Sequence, residues 1–253
     1  MPMFRNERHE KILELVTSDG RVATSDLAKR FNVSEESIRK DLQQLDADGQ
    51  LHRVYGGAVP VAQKTSHVVL SRVDEHRDLK QLVARKAFDL IENDMTVFLD
   101  ISTTNLYLAD LIAQSNLRCI IISNMLDIVK RAAEGTNIEV QCPGGRMNLE
   151  LNGLVGATCA EALSRVHPDL AFLGTLEVCV GDDWVSTFDS EDGAIKRTVL
   201  EASERSYVVA DSSKFTARGS YRYAKLTDFT GLITDDEDES HRERAKRLGI
   251  EVI

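Results

Sequence analysis

The chain has 253 residues, of which 42% are hydrophobic and 28% are charged, and its formal net charge at pH 7 is −10. These values are typical of a soluble globular protein, and the longest apolar runs are far too short to span a bilayer. The N-terminal segment lacks the apolar core of a signal peptide, so we expect a cytoplasmic protein with no membrane partner. The four cysteines and six histidines show no ligand spacing, so neither a metal ion nor another cofactor is indicated.

The negative charge is concentrated in the second part of the chain. Residues 1–60 contain nine Lys and Arg against ten Asp and Glu, whereas residues 61–253 contain 22 against 31. Contacts with phosphate groups carry much of the affinity of proteins for DNA, so the acidic part is unsuited to binding it. The nearly neutral N-terminal part can still bind DNA through a few well-placed cations.

Three helices are predicted in the N-terminal part. Apolar residues recur at helical spacing over residues 7–18, which indicates the first helix. Thr24 is the predicted N-cap of the second helix, and Ser34 is the predicted N-cap of the third. Between these two helices, Asn32 is suited to a tight turn, because asparagine tolerates the left-handed region.

The third predicted helix has the composition of a helix that reads DNA. Ile38, Leu42 and Leu45 form a narrow apolar stripe, and polar side chains occupy the opposite face. Arg and Gln suit the edges of guanine and adenine, and Lys suits phosphate. Two short extended segments around Gly56 and Gly57 follow and predict a hairpin. Three helices and a hairpin in this order are typical of a winged helix-turn-helix, with a protein-interaction module of the same shape as the alternative.

Residues 7–59 resemble the N-terminal domain of the DeoR/GlpR family of bacterial sugar-metabolism regulators. The most specific match is "VSEESIRKDLQQLDADGQLHRVYGGAV", in which Ser37 and Lys40 stand where the family usually has Thr and Arg. The resemblance implies a DNA-binding domain over residues 1–58. The residues expected to contact DNA are Ser34, Glu35, Glu36, Ser37, Arg39, Lys40, Gln43, His52, Arg53, Tyr55, Gly56 and Gly57.

The rest of the chain is predicted to contain a linker, residues 59–73, and a second domain, residues 74–253. After a predicted helix over residues 75–91, short apolar runs alternate with helical patterns, which indicates an α/β fold with a largely parallel sheet. The predicted strands are MTVFLD, LRCIII, IEVQC, LAFLG, SYVVA, TGLIT and IEVI. The helices predicted between them cover residues 104–113, 125–134, 157–166, 189–203 and 238–248.

Polar loops follow several of the predicted strands. In parallel α/β sheets, ligands bind beyond the carboxyl ends of the strands. Four loops at these ends, DISTTN, SNM, PGGR and ADSSKF, carry groups that suit a phosphorylated or hydroxylated small molecule. Each loop alone is weak evidence, because Ser, Thr and Asn after a strand are often helix caps. Four such loops at one edge of the sheet favour a ligand site.

The second domain also resembles the DeoR-type sensor domain, whose fold is related to that of ribose-5-phosphate isomerase and CoA-transferases. The matching motifs include "FLD-x-STT", "PDLAFLG", "ADSSKF" and "GLITD", and the chain departs from the family pattern at Ile101 and Glu177. By this resemblance, the effector site is lined by Asp100, Ser102, Thr103, Thr104, Asn124, Lys196 and Lys214. With the remaining strand-end loops, the predicted effector-binding residues are Asp100, Ser102, Thr103, Thr104, Ser123, Asn124, Gly144, Gly145, Glu191, Lys196 and Lys214.

The sequence therefore predicts a DNA-binding transcriptional regulator, which we interpret as a repressor of a carbohydrate-metabolism operon. A small phosphorylated sugar or a related metabolite is expected to control it. Residues 74–253 are expected to bind this effector and to form a homodimer or homotetramer, and no catalytic residue is assigned. The alternative is a sugar-phosphate isomerase-like enzyme that uses Asp100, Glu191 and Lys214 for proton transfer. Such an enzyme needs no helix-turn-helix, which favours the regulator.

Overall fold

The computed structural model describes residues 5–19, 22–48, 50–54, 56–60 and 69–253. The chain divides into two compact units, residues 1–66 and 67–253. Two parts of the predicted DNA-contacting set, Tyr55 and the side chain of His52, lie outside the described residues. Within the predicted linker, the chain completes a strand at Pro60, and Val69–Arg72 forms a 3-10 helix.

The N-terminal unit is a winged helix-turn-helix, as predicted. A three-stranded antiparallel sheet in the order β1-β3-β2 forms the wing and its base. The elements in this unit are α1 (Arg5–Asp19), β1 (Val22–Ala23), α2 (Thr24–Phe31), α3 (Glu35–Ala47), β2 (Leu51–Val54) and β3 (Gly57–Pro60). The core between helices and sheet contains Ile12, Val16, Leu27, Phe31, Ile38, Leu42, Leu45 and Leu51.

The starts of α2 and α3 are set in different ways. Ser34 caps α3, since its side-chain oxygen accepts a hydrogen bond from the backbone N–H three residues later at 3.2 Å. Asn32 lies in the turn before it with φ 52°, as predicted. The prediction of Thr24 as the N-cap of α2 was wrong, because Ala23 holds that position. Ala23 pairs with Gly57 in the sheet, so strand pairing and not a capping side chain sets the helix start.

A buried carboxylate and a glycine fix the packing of this unit. Asp41 in α3 accepts a hydrogen bond from Arg8 Nε at 2.6 Å, and its other oxygen lies 3.1 Å from His9 Nε2. These contacts tie α1 to α3. A side chain at Gly57 would place its Cβ 1.9 Å from the carbonyl oxygen of Val22, so only glycine allows this approach of the wing to β1.

The second unit alternates strands and helices over most of its length. Its helices are α4 (Arg77–Phe88), α5 (Thr103–Ala113), α6 (Leu126–Ala132), α7 (Ala157–Leu163), α8 (Ser190–Ala202) and α9 (Glu239–Arg247). Its strands are β4 (Thr96–Leu99), β5 (Cys119–Ser123), β6 (Ile138–Gln141), β7 (Arg146–Asn148), β8 (Gly153–Val155), β9 (Leu170–Gly174), β10 (Glu177–Cys179), β11 (Trp184–Thr187), β12 (Arg205–Ala210), β13 (Tyr221–Ala224), β14 (Gly231–Thr234) and β15 (Glu251–Val252). Further 3-10 helices cover Ser212–Phe215 and Leu226–Asp228.

Within residues 69–253, seven strands form one parallel sheet in the order β15-β14-β12-β9-β4-β5-β6. Its strands are apolar because both faces are covered: in β4, Val97 and Leu99 pack into one core cluster and Phe98 into the other. Helices α4 to α6 contribute to the first cluster, and α7 to α9 contribute to the second. This arrangement confirms the predicted α/β fold with a mostly parallel sheet.

Two smaller antiparallel elements were not predicted. One is a sheet in the order β10-β11-β13, and the other is the hairpin of β7 and β8. Strands β10 and β11 of the first sheet follow β9 directly, and β11 ends at Thr187, just before α8 begins. It therefore helps to position the start of α8 beside the end of β9.

Candidate functional site

The seven-stranded sheet has its topological switch point between β4 and β9. Strands β5 and β6 follow β4 towards one edge, whereas β12, β14 and β15 follow β9 towards the other. The carboxyl ends of the two central strands open a crevice there, which is where ligands bind in open α/β sheets. Asp100 follows β4, Gly174 ends β9, and the backbone N–H of Gly174 donates a hydrogen bond to Asp100 Oδ2 at 2.8 Å.

A buried ion cluster lies at this crevice. Lys196 of α8 makes an ion pair with Asp100, and Lys196 Nζ lies 3.5 Å from Asp192 Oδ1. All three side chains are at most 5% exposed. Asn105 of α5 donates a hydrogen bond to Asp100 at 2.8 Å, and Thr187 of β11 donates one to Asp192 at 2.8 Å. Two carboxylates thus surround one ammonium group, and three different elements hold the cluster in place.

Burial and mutual charge shift the pKa values of the cluster. Burial lowers the pKa of Lys196, but the charges of Asp100 and Asp192 outweigh this effect and raise it above its usual value. Burial raises the pKa of Asp192 to about 6, against the opposing charge of Lys196. At neutral pH, Lys196 is therefore charged, while Asp192 takes up a proton in mildly acidic solution.

Asp192→Asn should change how the stability of the second unit depends on pH. The pKa of Asp192 is 3.8 when unfolded and about 6 when folded, so its stabilising contribution is full below the unfolded value and is lost as the pH rises through 6. Relative to Asp192→Asn, the wild type should lose on the order of 2 kcal/mol of unfolding free energy between about pH 4.5 and 7. Urea denaturation measures this, with the exposed Asp89→Asn as control. Parallel pH profiles for wild type and Asp192→Asn would contradict it.

A cavity of about 50 Å³ opens beside the ion cluster. The predicted effector residues on its wall are Ser102, Thr103, Thr104, Lys196 and Lys214. Ser102 is the N-cap of α5, and its side-chain oxygen accepts a hydrogen bond from the backbone N–H of Thr104 at 3.2 Å. The wall therefore combines two ammonium groups with the positive end of a helix, which suits an anionic ligand group.

Other predicted effector residues do not line this cavity. Ser123 and Asn124 are fully buried, and both side chains bond to backbone groups nearby. Gly144 and Gly145 lie in the exposed loop between β6 and β7. Glu191 forms an ion pair with a surface arginine, Arg146. Asp100 itself does not line the wall and contacts the cavity through Lys196.

Some wall residues were missed by sequence reasoning: Val69, Arg72, Leu151, Thr175, Leu176, Thr187, Asp192 and Val209. A usable signal existed for Asp192, because it lies one helical turn before Lys196. Thr175 also has a signal, since it follows β9 at a strand end. No signal pointed to Arg72, because it lies in the segment interpreted as a linker.

The two departures from the family pattern lie in different places. Ile101 lines the cavity, and together with Leu151 and Phe188 it forms an apolar side. Glu177 lies in β10 away from the cavity wall, where it accepts a hydrogen bond from Ser186 Oγ at 2.5 Å. Of these two departures, only Ile101 therefore bears on the size of the ligand that fits.

The face of α3 opposite its buried stripe is exposed. Arg39 Nη2 lies 2.9 Å from Glu35 Oε2, and Arg39 Nη1 lies 3.6 Å from Glu36 Oε2. Such exposed pairs contribute little, so the guanidinium can exchange them for other contacts. The backbone N–H of Arg53 donates to Asp46 at 3.2 Å, which ties the wing to α3. The exposed residues of the predicted set are Ser34, Glu35, Glu36, Arg39, Lys40, Gln43, Arg53 and Gly56.

The described residues contain no metal-binding cluster, no disulfide and no membrane-spanning helix. In the described ranges, no group of three or more His, Cys, Asp or Glu side chains has the arrangement of a metal site. The four cysteines are unpaired thiols. No described helix is both long enough and apolar enough to cross a membrane.

A winged helix-turn-helix unit, together with an α/β unit that has a cationic cavity at its switch point, defines a DNA-binding regulator with a sensor domain. Residues 8–64 match the DeoR-like helix-turn-helix domain, and residues 75–236 match the DeoR C terminal sensor domain. The chain belongs to the DeoR family of transcriptional regulators, as the resemblance predicted. It is a regulator and not an enzyme. The three residues of the isomerase alternative are also not brought together, because Glu191 lies outside the cavity that Lys214 lines.

Known relatives match almost the whole chain. It is 27% identical over 253 residues to the HTH-type transcriptional repressor GlcR of Bacillus subtilis, covering 99% of this chain and 96% of the relative. It is 29% identical to the glycerol-3-phosphate regulon repressor of Escherichia coli K12, covering 92% of each. It is also 29% identical to the L-fucose operon activator of Haemophilus influenzae, covering 91% of this chain and 92% of the relative. Among solved structures, ribose 5-phosphate isomerase A from Methanocaldococcus jannaschii aligns with a TM-score of 0.41 at 21% identity, covering 56% and 55% of the two chains.

Proposed function

We propose that the protein represses a carbohydrate-metabolism operon and releases its operator when a small phosphorylated sugar binds in the sensor-domain cavity. The observation that carries this proposal is a cationic cavity beside a buried ion cluster, in a chain that also has a winged helix-turn-helix. The names of the repressors among the relatives support it. One relative is named an activator, so the direction of regulation needs its own measurement.

The chemistry of the cavity suits a sugar phosphate. Lys196, Lys214 and the start of α5 can bind a phosphate group. Thr175 and the carboxylate of Asp192 can accept hydrogen bonds from sugar hydroxyl groups. A cavity of about 50 Å³ is much smaller than the roughly 300–1,000 Å³ of typical ligand sites. We therefore expect side chains of the wall to move when the ligand binds, which provides a route from binding to conformational change.

The proposed regulator acts as a homodimer or homotetramer formed through its sensor domains. Two-fold symmetry lets two copies of α3 enter successive major grooves about 34–36 Å apart. The effector can weaken DNA binding only if it prefers the conformation that does not bind DNA. Analytical ultracentrifugation of the full-length protein, with and without operator, measures the assembly.

Fluorescence anisotropy tests the proposal. Full-length protein is titrated onto DNA from its own promoter, and then a panel of sugar phosphates and the matching unphosphorylated sugars is added. We expect binding that resists competitor DNA and weakens with one phosphorylated compound but not with its parent sugar. Specific binding that no compound alters would contradict the effector class. Tighter binding with a compound would contradict release of the operator by the effector, and an absence of specific binding would contradict the presence of an operator in this promoter.

A further inference from the structure

Arg72 is an unusual residue in the wall of the cavity. It ends the 3-10 helix Val69–Arg72, and its side chain lines the same cavity as Lys196 and Lys214. Its Nε is buried and has no hydrogen-bond partner among the described residues. Its guanidinium carbon lies 5.8 Å from the centroid of the Phe188 ring. A buried guanidinium donor without an acceptor is costly, so this position favours a ligand that brings an acceptor.

The nearby carboxylates leave the charge of Arg72 incompletely balanced. Burial lowers the pKa of Arg72, while Glu75 and Asp192 act in the opposite direction. Asp192 already accepts a hydrogen bond from Thr187 and pairs with Lys196. Glu75 is exposed to solvent, which screens its charge. Within the part of the chain that the structure describes, Arg72 therefore forms no ion pair, whereas Lys196 pairs with two carboxylates.

A buried lysine next to the backbone of Arg72 adds to this positive charge. Lys80 of α4 is 2% exposed, and burial, together with the charge of Lys214, lowers its pKa to about 8. Among the described residues, the carboxylate that pairs with Lys214 is Asp211, whose Oδ2 lies 3.8 Å from Lys214 Nζ. Cations thus outnumber paired carboxylates on this side of the cavity. A phosphate group would balance the excess, and it matches the fork of a guanidinium.

The backbone around Arg72 is held on both sides by the sensor domain. Lys80 Nζ donates a hydrogen bond to the carbonyl oxygen of Arg72 at 2.5 Å. The backbone N–H of Val69 donates to the carbonyl oxygen of Glu150 at 2.8 Å, and the Tyr107 hydroxyl donates to that of Val73 at 3.0 Å. This 3-10 helix is the first described element after the wing strand that ends at Pro60. It is therefore the point at which the chain enters the sensor domain.

We infer that Arg72 binds the anionic group of the effector, and that the 3-10 helix Val69–Arg72 transmits this binding to the chain that leads to the DNA-binding domain. The inference rests on the proposed function, because it concerns the same cavity. The anionic group replaces the contact of Arg72 with Phe188 and supplies acceptors for its donors. Movement of Arg72 shifts a helix that is covalently continuous with the segment before residue 69. An uncharged sugar lacks this contact and does not act as an effector.

Inorganic phosphate is the probe for the anion site. Thermal unfolding of the full-length protein is followed through Trp184 fluorescence, in phosphate and in chloride of equal ionic strength. We expect phosphate to raise the unfolding temperature of the wild type and of Arg85→Ala, a control that removes an exposed arginine from α4. Arg72→Ala should show no rise, and Arg72→Lys should show a smaller one. If phosphate raised the unfolding temperature of Arg72→Ala as much as that of the wild type, or did not raise that of the wild type, the anion site would be overturned.

Operator release tests the transmission. The affinity of Arg72→Ala for operator DNA is measured first without sugar phosphate, and release by the compound is expressed relative to that affinity, with Arg85→Ala as the control. The compound that releases the wild type should be needed at a concentration at least about tenfold higher. Unchanged release of Arg72→Ala would overturn the inference. If phosphate stabilises the protein through Arg72 but no sugar phosphate releases the operator, the anion site stands while the transmission and the proposed effector both fail.

Discussion

Lys196→Met is expected to lower the unfolding free energy of the sensor domain by about 3–5 kcal/mol, because it breaks a buried ion pair from one side. Asp100 and Asp192 would be left 1% and 5% exposed without a cation between them. Each carboxylate would then favour its protonated form, so the loss should be smaller at pH 5 than at pH 7. Urea denaturation followed by the fluorescence of the single tryptophan, Trp184, measures this, since it reports on the sensor domain.

The control for this variant is Lys130→Met, which removes a lysine that is 77% exposed on α6. It should change the unfolding free energy by less than about 0.5 kcal/mol. The double variant Asp100→Asn with Lys196→Met removes both partners of the pair together. Its loss of unfolding free energy should therefore be smaller than the sum of the two single losses, by about 0.5–3 kcal/mol. Additive losses, or a loss no larger than that of Lys130→Met, would show that the buried pair does not hold the site together.

The parallel sheet was predictable because the amino-acid composition of its strands shows that they are buried on both faces. LAFLG and SYVVA are nearly continuous apolar runs, as expected for strands covered on both faces. The antiparallel sheet β10-β11-β13 has no such pattern. Its strands are three or four residues long and mix charged, polar and apolar residues, and β11 pairs with a strand more than 30 residues later. Neither periodicity nor a turn signal reveals a pairing of that kind.

The site was predictable only as far as strand order could be inferred. The loops SNM and PGGR do follow strands, but β5 and β6 lie one and two strands beyond β4. Neighbouring strands are about 4.8 Å apart, so these loops move progressively away from the switch point. DISTTN follows β4 itself, and four of its residues line the cavity: Ile101, Ser102, Thr103 and Thr104. Arg72 was not found, because a segment without periodicity gives no sign that its side chain enters a cavity whose wall includes residues as distant in sequence as Lys214.

Arg39→Ala should abolish specific operator binding while leaving effector binding intact. Arg39 is 54% exposed on α3, and its partners Glu35 and Glu36 hold it only through weak surface pairs. A bidentate contact between arginine and a guanine edge contributes about 1–3 kcal/mol of discrimination, and a dimer loses it twice. Competition anisotropy with operator and unrelated DNA measures the specificity ratio. Calorimetry with the releasing compound measures effector binding to the same variant.

Lys40→Ala tests whether α3 recognises base edges or only contributes positive charge to DNA binding. It removes one cation from the same exposed face of α3, so a general electrostatic effect would be similar in both variants. A lysine that contacts phosphate should weaken operator and unrelated DNA about equally and reduce the salt dependence of binding by about one ion. Arg39→Ala should instead weaken the operator far more than unrelated DNA. Equal losses in the two variants would mean that α3 contributes charge and not sequence recognition, and loss of effector binding in Arg39→Ala would contradict the division of labour between the two domains.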